Sequence, residues 1–244
     1  MSERIILADL DQQLQEVVAS TRRRVADLHA ELPRWGLVVW TAGNVSERVV
    51  VDRGDGPIKT DLFIIKPSGV SYDELTADTL VVCTLDGEKI DDGTPASLTP
   101  SSDTAAHAYV YRHRDDVGGV VHTHSPYATA WAARREPIPC ALTMMGDEFG
   151  GEVPVGPFAI IGDDSIGRGI VETLRDSRSP AVLMANHGPF TIGKDAQAAV
   201  KAAVMVEEVA RTVAMAQLLG DPVPVAQGAI DSLYARYQNV YGQH

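Results

Sequence analysis

Two histidines separated by one residue close an apolar run in Gly118-Gly119-Val120-Val121-His122-Thr123-His124-Ser125. In a strand, side chains alternate between faces, so His122 and His124 project to one side with Cβ atoms roughly 7 Å apart. Two imidazoles at that reach can share one cation. A second stretch, Pro180-Ala181-Val182-Leu183-Met184-Ala185, reads as a buried strand that stops at Asn186-His187-Gly188-Pro189-Phe190, with a tight Gly-Pro turn beyond His187. Three histidines at the ends of core strands, two of them on one face, make the open tridentate set expected of a catalytic Zn²⁺, which leaves coordination positions for water or substrate. Zinc-finger spacing is absent. His29, His107 and His113 fall in helices without a partner pattern and read as structural or exposed residues, and His244 is the chain end.

Three other junctions carry small residues rich in hydrogen-bond donors. They are Gly43-Asn44, in the turn Thr41-Ala42-Gly43-Asn44-Val45-Ser46; Lys66-Pro67-Ser68-Gly69, which adds a cation; and Ser101-Ser102-Asp103, ahead of a helix expected over 104–114. Singly, each is an ordinary turn or cap, because Gly and Asn tolerate positive φ and Ser caps helices. Together, with the free N–H groups and dipole of a helix N-terminus, they can converge on one phosphate. Asp103, in the first turn, either complements that dipole or points into the site. Asp147 and Glu148 lie in Met144-Met145-Gly146-Asp147-Glu148-Phe149-Gly150-Gly151, an acidic stretch without clear periodicity, where solvated side chains are the plain expectation.

The elements that must hold these residues follow from apolar periodicity. An amphipathic helix is expected over 7–32, where Leu10, Leu14, Val17, Val18, Val25 and Leu28 recur at helical spacing and Pro33 closes the segment. Strands are expected at 36–40, 62–65 and 79–84, with a hairpin turn at Asp86-Gly87, and a further strand ends at Ile160. Helices are expected over 126–135 and 166–174, over 196–219 behind an Asp195 cap, and from about Ala226 toward Tyr237. Tyr241, in the tail Val240-Tyr241-Gly242-Gln243-His244, gains a role only if that tail docks, for instance on a neighbouring subunit.

A chain of 244 residues with 45% hydrophobic and 22% charged residues suffices for one sizeable core, and a single domain over 1–244 is expected. Its formal net charge of -12 argues against a general nucleic-acid or anionic-membrane surface, whereas a phosphorylated small molecule needs only a local pocket. Cys83 and Cys140 are too few and too far apart for a disulfide framework, which fits a reducing compartment. The opening residues lack the apolar core of a signal peptide, and no apolar run approaches the ~20 residues of a membrane span. A cytoplasmic location is expected.

The ordered set Gly43-Asn44-Val45-Ser46, Lys66-Pro67-Ser68-Gly69, Ser101-Ser102-Asp103-Thr104, His122-Thr123-His124-Ser125, Asn186-His187-Gly188-Pro189-Phe190 and Tyr241-Gly242-Gln243 resembles the class II aldolase/adducin family over residues 18–243, nearly the whole chain. The resemblance implies a three-layer α/β/α sandwich around a central, largely antiparallel sheet, and cyclic homotetramers with active sites between subunits. It implies a divalent metal on His122, His124 and His187, usually Zn²⁺, with Mn²⁺ as another possibility. It assigns Gly43, Asn44, Ser68, Gly69, Ser101 and Ser102, with Lys66 beside them, to the phosphate of a sugar phosphate.

Within the family the chain is most similar to the epimerases that invert C4 of a ketopentose 5-phosphate. Asp103 stands where fuculose-phosphate aldolases carry Glu, and the resemblance puts it on or near the metal. Asp147 and Tyr241 match an acid/base pair contributed by the adjacent subunit. Two positions depart from the epimerase pattern: Met145 stands where a His is expected, and no His lies between Ala226 and Val240. The implied reaction breaks C3–C4 to leave an enediolate and rebuilds the bond on the other face of the aldehyde, because no carbonyl adjoins C4 to stabilise a carbanion there. Release of the aldehyde would instead make the protein a sugar-phosphate aldolase. A non-catalytic, adducin-like interaction module is the reading from another class, and the intact histidines argue against it.

Overall fold

A computed structural model of the chain describes residues 5–239. After a short 3-10 turn at Leu7–Asp9, helix α1 runs over Gln12–Arg34, started by Asp11, whose side chain accepts the Leu14 N–H at 3.0 Å. Pro33 lies inside its last turn instead of closing it, and the Trp35 and Gly36 N–H groups end the helix on the Glu31 and Pro33 carbonyls. Val18, Val25 and Leu32 form its buried stripe together with His29. That histidine pins α1 to the sheet: Nδ1–H donates to the Val25 carbonyl at 2.7 Å, and Nε2 accepts the Val45 N–H at 2.9 Å.

The strands are β1 (Asn44–Asp52), β2 (Pro57–Ile65), β3 (Val81–Thr84), β4 (Gly119–His122), β5 (Val155–Gly156), β6 (Ala181–Met184) and β7 (Gly188–Gly193). The remaining helices are α2 (Thr104–His113), α3 (Pro126–Arg134), α4 (Thr143–Phe149), α5 (Ser165–Thr173), α6 (Ala196–Leu219) and α7 (Gln227–Asn239). One seven-stranded sheet has the order β3-β2-β1-β4-β7-β6-β5. Its pairs are antiparallel except for β5 and β6.

The two-residue period of each strand divides the core between the sheet's faces. Phe63, Ile65, Val120, Val182 and Met184 pack on one side with residues of α2 and α5. Leu62, Ile64 and Val121 pack on the other against α1 and α6, while Ala181 and Leu183 meet α3, α4, α6 and α7 there. The expected α/β/α sandwich is therefore what the sequence builds. Among the described residues no helix is long and apolar enough to cross a membrane.

Four local expectations do not hold. The run 36–40 is not a strand: Leu37 is buried, but Val39 and Trp40 are 73% and 83% exposed, and Trp40 has φ 59°. The strand starts only at Asn44, past the left-handed Gly43. The stretch around Asp147 is a helix rather than an acidic loop, because Met145 and Phe149, four residues apart, both enter the core beneath α7. No strand ends at Ile160; the ladder is confined to Val155–Gly156, and Phe158 and Ile160 are exposed. Gly188-Pro189 is not a turn but opens β7, and the turn is residues 185–187, with Asn186 at φ 58°.

One carboxylate acts at long range on this frame. Helix α3 has no side-chain cap from Ser125. Instead Glu207, on α6, accepts the Tyr127 and Ala128 N–H groups, both at 2.9 Å, so α6 caps the helix that follows His124.

Burial holds His29 and His107 far below the ordinary histidine range, each pushed down to about 3 by loss of solvent. Between the unfolded value near 6.5 and that folded value, the unfolded chain binds protons that the folded chain refuses. Stability therefore falls as pH falls. Taking the metal-free protein from pH 7 to pH 5 is expected to cost about 2 kcal/mol per buried histidine, read as a lower denaturant midpoint. An unchanged midpoint would contradict the neutral burial of these rings.

Candidate active site

β4 delivers His122 to the end of the sheet, fully buried, with its ring stacked on Phe190 of β7 at 4.1 Å between centroids. Its Nδ1–H donates to the Pro189 carbonyl at 3.0 Å, which leaves a lone pair on Nε2. His124, two residues on, presents its own Nε2 to that atom at 2.9 Å. His187 arrives from the β6–β7 turn, with its ring 4.6 Å from His122 and 5.2 Å from His124. One ligand atom from each of the three lies within 4.8 Å of the others.

These donors suit a divalent cation. Burial depresses the pKa of all three rings; His187 and His124 repel a proton on His122, and His124 does so on His187. At neutral pH the rings are accordingly uncharged; His122 has its Nε2 lone pair free, and the Nε2–H tautomer of His124 donates to it at 2.9 Å until a cation replaces that proton. Tetrahedral Zn–N bonds of 2.0–2.1 Å would put two nitrogens about 3.3 Å apart; the His122 and His124 nitrogens stand at 2.9 Å, and all three ligand atoms lie within 4.8 Å. The Pro189 carbonyl fixes the tautomer and ring orientation of His122, as an outer-sphere acceptor does for a metal-ligating histidine.

All three polar junctions open into one cleft of about 200 Å³ that reaches His122 and His124. The register of β1 with β4 sets Asn44 opposite His122, and Gly43 passes so close that a Cβ there would stand 2.9 Å from the His122 carbonyl oxygen. Lys66 follows directly on β2 with its side chain buried, Nζ donating to the Thr41 carbonyl at 3.0 Å over the Tyr72 ring at 5.3 Å. Burial lowers its pKa to about 8, which still leaves it mainly cationic at pH 7. Ser68, Gly69 and Ser102 are exposed on the cleft's rim, and Ser101 is half-buried. The Ser68 N–H donates to the Thr99 carbonyl and the Ser101 N–H to the Lys66 carbonyl, which ties the two rim loops together.

Asp103 is the N-cap residue of α2, yet its side chain makes no capping bond. It turns into the cleft, where Oδ2 accepts from Asn44 Nδ2 at 2.7 Å, and its negative charge favours protonated His124 and His187. Of the two roles open to it from sequence, the inward one is adopted. The compact ligand group nonetheless comprises the three histidines and does not include Asp103.

The expected acid/base pair is not brought to these histidines within the described chain. Asp147 is half-buried on α4 and lines a separate cavity with Leu233, Arg236 and Tyr237 of α7. Tyr241 lies outside the described residues. Glu148 is not simply solvated: it pairs with Lys201 at 2.7 Å and accepts from the Tyr237 hydroxyl, joining α4, α6 and α7. Met145, where a His is the epimerase pattern, is fully buried core.

Sequence reading passed over Ile161 at the cleft's mouth and the buried polar surroundings of His107. Ile161 sits in a segment without regular structure, and nothing in its local pattern marks it. His107 stands four residues after Asp103, on the same helix face, and that spacing was the available signal. His29 is structural and His113 exposed, as expected.

Comparison with known proteins agrees with this geometry. Residues 23–214 match the profile described as Class II Aldolase and Adducin N-terminal domain. The L-ribulose-5-phosphate 4-epimerase UlaF of Salmonella paratyphi C (strain RKS4594) is 41% identical over 199 residues, covering 78% of this chain and 82% of that protein. Among solved structures, an L-fuculose 1-phosphate aldolase superposes with a TM-score of 0.78 at 26% identity, over 90% of this chain and 96% of its own. YgbL from Klebsiella pneumoniae gives 0.72 at 28% identity, over 89% and 99%.

Proposed function

The chain belongs to the class II aldolase and adducin family, and from that premise we propose that it is an L-ribulose-5-phosphate 4-epimerase. The observation that carries this reading is the single cleft in which a donor-rich anion rim meets His122 and His124, two members of the three-histidine cluster. A nitrogen-only set of imidazoles suits Zn²⁺ better than Mg²⁺ or Ca²⁺. When bound, such a cation supplies Lewis-acid stabilisation for the charge left on the ketose fragment as C3–C4 breaks, a contribution of several kcal/mol.

The protein's own residues have three tasks. The rim holds the substrate phosphate: Ser68, Ser101 and Ser102 offer hydroxyls, Gly69 and Ser102 offer backbone N–H groups, Gly43 and Asn44 shape the floor, and Lys66 contributes positive charge beneath. This grip keeps the aldehyde fragment in place so that it rotates rather than escapes. Asp103 presents a carboxylate, held by Asn44, in the cleft that His122 and His124 also line.

The third task is proton transfer. The C4 hydroxyl loses its proton as the C3–C4 bond breaks, and the new alkoxide gains one after addition to the opposite aldehyde face. Two groups on opposite sides are required. Asp147 and Tyr241 are assigned those roles, delivered from a neighbouring copy in a cyclic homotetramer, since Asp147 opens into a different cavity of its own subunit. A cytoplasmic setting accords with two buried, free cysteines.

The buried Met145 favours a second reading, because α4 lacks the imidazole of the epimerase pattern. Without it the fragment could leave, and the enzyme would act as a class II sugar-phosphate aldolase. Incubating the zinc-loaded protein with L-ribulose 5-phosphate decides between them. The expected product is the C4 epimer without free aldehyde; accumulation of glycolaldehyde phosphate would make it an aldolase, and neither product would overturn both.

A further inference from the structure

Behind the cleft lies a buried polar chain that the proposed chemistry does not use. Tyr111, fully buried on α2, has its hydroxyl 2.7 Å from Ser46 Oγ on β1, and Ser46 Oγ is 2.7 Å from Nδ1 of His107. The polarity of this chain follows from counting protons. The phenol hydrogen needs an acceptor and finds it in Ser46 Oγ; the serine hydrogen is then free for one acceptor, His107 Nδ1. Burial keeps the ring neutral, so its single proton stands on Nε2.

That Nε2–H is wholly buried and makes no hydrogen bond to another protein group. A buried donor left in that state is destabilising, so native structures rarely keep one without a use. One helical turn before it, at the start of the same helix, Asp103 Oδ1 is a buried acceptor in the same condition, while Oδ2 is held by Asn44. After burial itself, Asp103 is the largest electrostatic influence on His107, and it favours a proton there.

We propose that His107 is a positioning residue for Asp103. Its Nε2–H, oriented by Ser46 and Tyr111, supplies the donor that Oδ1 takes up through one bridging water. With Oδ2 on Asn44, the carboxylate plane is then fixed from both sides, facing the three-histidine cluster. A core strand and a helix interior thereby set the direction of a group in the cleft without touching substrate. The catalytic consequence rests on the proposed epimerase reading; the His107–Asp103 contact does not.

Nitrogen NMR of the metal-free protein with labelled histidine tests the contact without substrate. His107 is expected as the neutral Nε2–H tautomer, with its Nε2–H resonance shifted in Asp103→Asn and its Nδ1 resonance unmoved. The Nδ1–H tautomer, or an Nε2–H resonance indifferent to Asp103→Asn, would overturn the proposal. A kinetic cycle tests the consequence. His107→Phe should lower kcat about 10-fold or more with KM and bound zinc unchanged, His107→Gln should restore part of the loss, and His107→Phe should have no further effect in an Asp103→Asn background. Equal loss in both backgrounds would mean that His107 acts only by filling the core. Should His107→Phe fail to fold, the NMR comparison still decides, since it leaves His107 in place. Inactivity of the wild-type protein on ketopentose phosphate with the NMR result as expected would reject the epimerase reading alone.

Discussion

His124→Ala is expected to strip the protein of its cation and to reduce turnover by roughly 10³-fold, equivalent to about 4 kcal/mol of transition-state stabilisation. The reasoning starts from geometry. His124 offers Nε2 to the same point as His122 and His187, and unlike His122 it is exposed and supports no core packing. Its removal leaves two imidazoles, one fewer than the three protein ligands of an open catalytic zinc site. Changes to outer-sphere partners alone cost 10–100-fold in affinity, so loss of a ligand must cost more. Metal analysis after gel filtration should find no stoichiometric zinc, while the melting temperature of the metal-free form stays that of wild type. Full zinc occupancy in the variant would remove His124 from the ligand set.

Asp147→Asn and Tyr241→Phe should each lower kcat by 10²–10⁴-fold, the span of a lost general acid or base, with zinc retained in full. The pairing of these effects with assembly is the sharper test. His124 and Asp147 belong to different cavities of one subunit, so an active site that uses both must borrow one from a neighbour. Mixing inactive His124→Ala with inactive Asp147→Asn subunits in a cyclic oligomer should then restore roughly a quarter of wild-type activity, because one site in four pairs two intact halves. Zero recovery after verified subunit exchange would place both residues in one chain's chemistry or exclude Asp147 from it.

The parts legible in the sequence were those whose chemistry is local. A same-face pair two residues apart is set by strand geometry, and His122 and His124 meet as that geometry requires. Helix α6 was legible from end to end, since Asp195 caps it and Gly220 follows its last residue. Elsewhere, apolar composition misled. Leu37-Val38-Val39-Trp40 carries strand-forming residues, but no strand pairs with it, and the chain spends them on a loop that leads into Gly43. Hydrogen-bonding partners for a strand are a property of the whole sheet, and a window of five residues cannot reveal them. Helix α4 was hidden because its Met145 and Phe149 gain meaning only once α7, some 80 residues later, covers them. The inward turn of Asp103 depended likewise on Asn44, 59 residues earlier in the chain.

Glu207 carries a consequence for anyone who wishes to retune this catalyst. By holding the first N–H groups of α3, it makes the heading of the segment just past His124 depend on a helix whose own side chains do not line the cleft. Directed-evolution libraries confined to the substrate pocket would miss that lever. Conservative changes along the α6 face around Glu207 offer a way to swing an imidazole by fractions of an ångström while every cleft-lining residue keeps its identity.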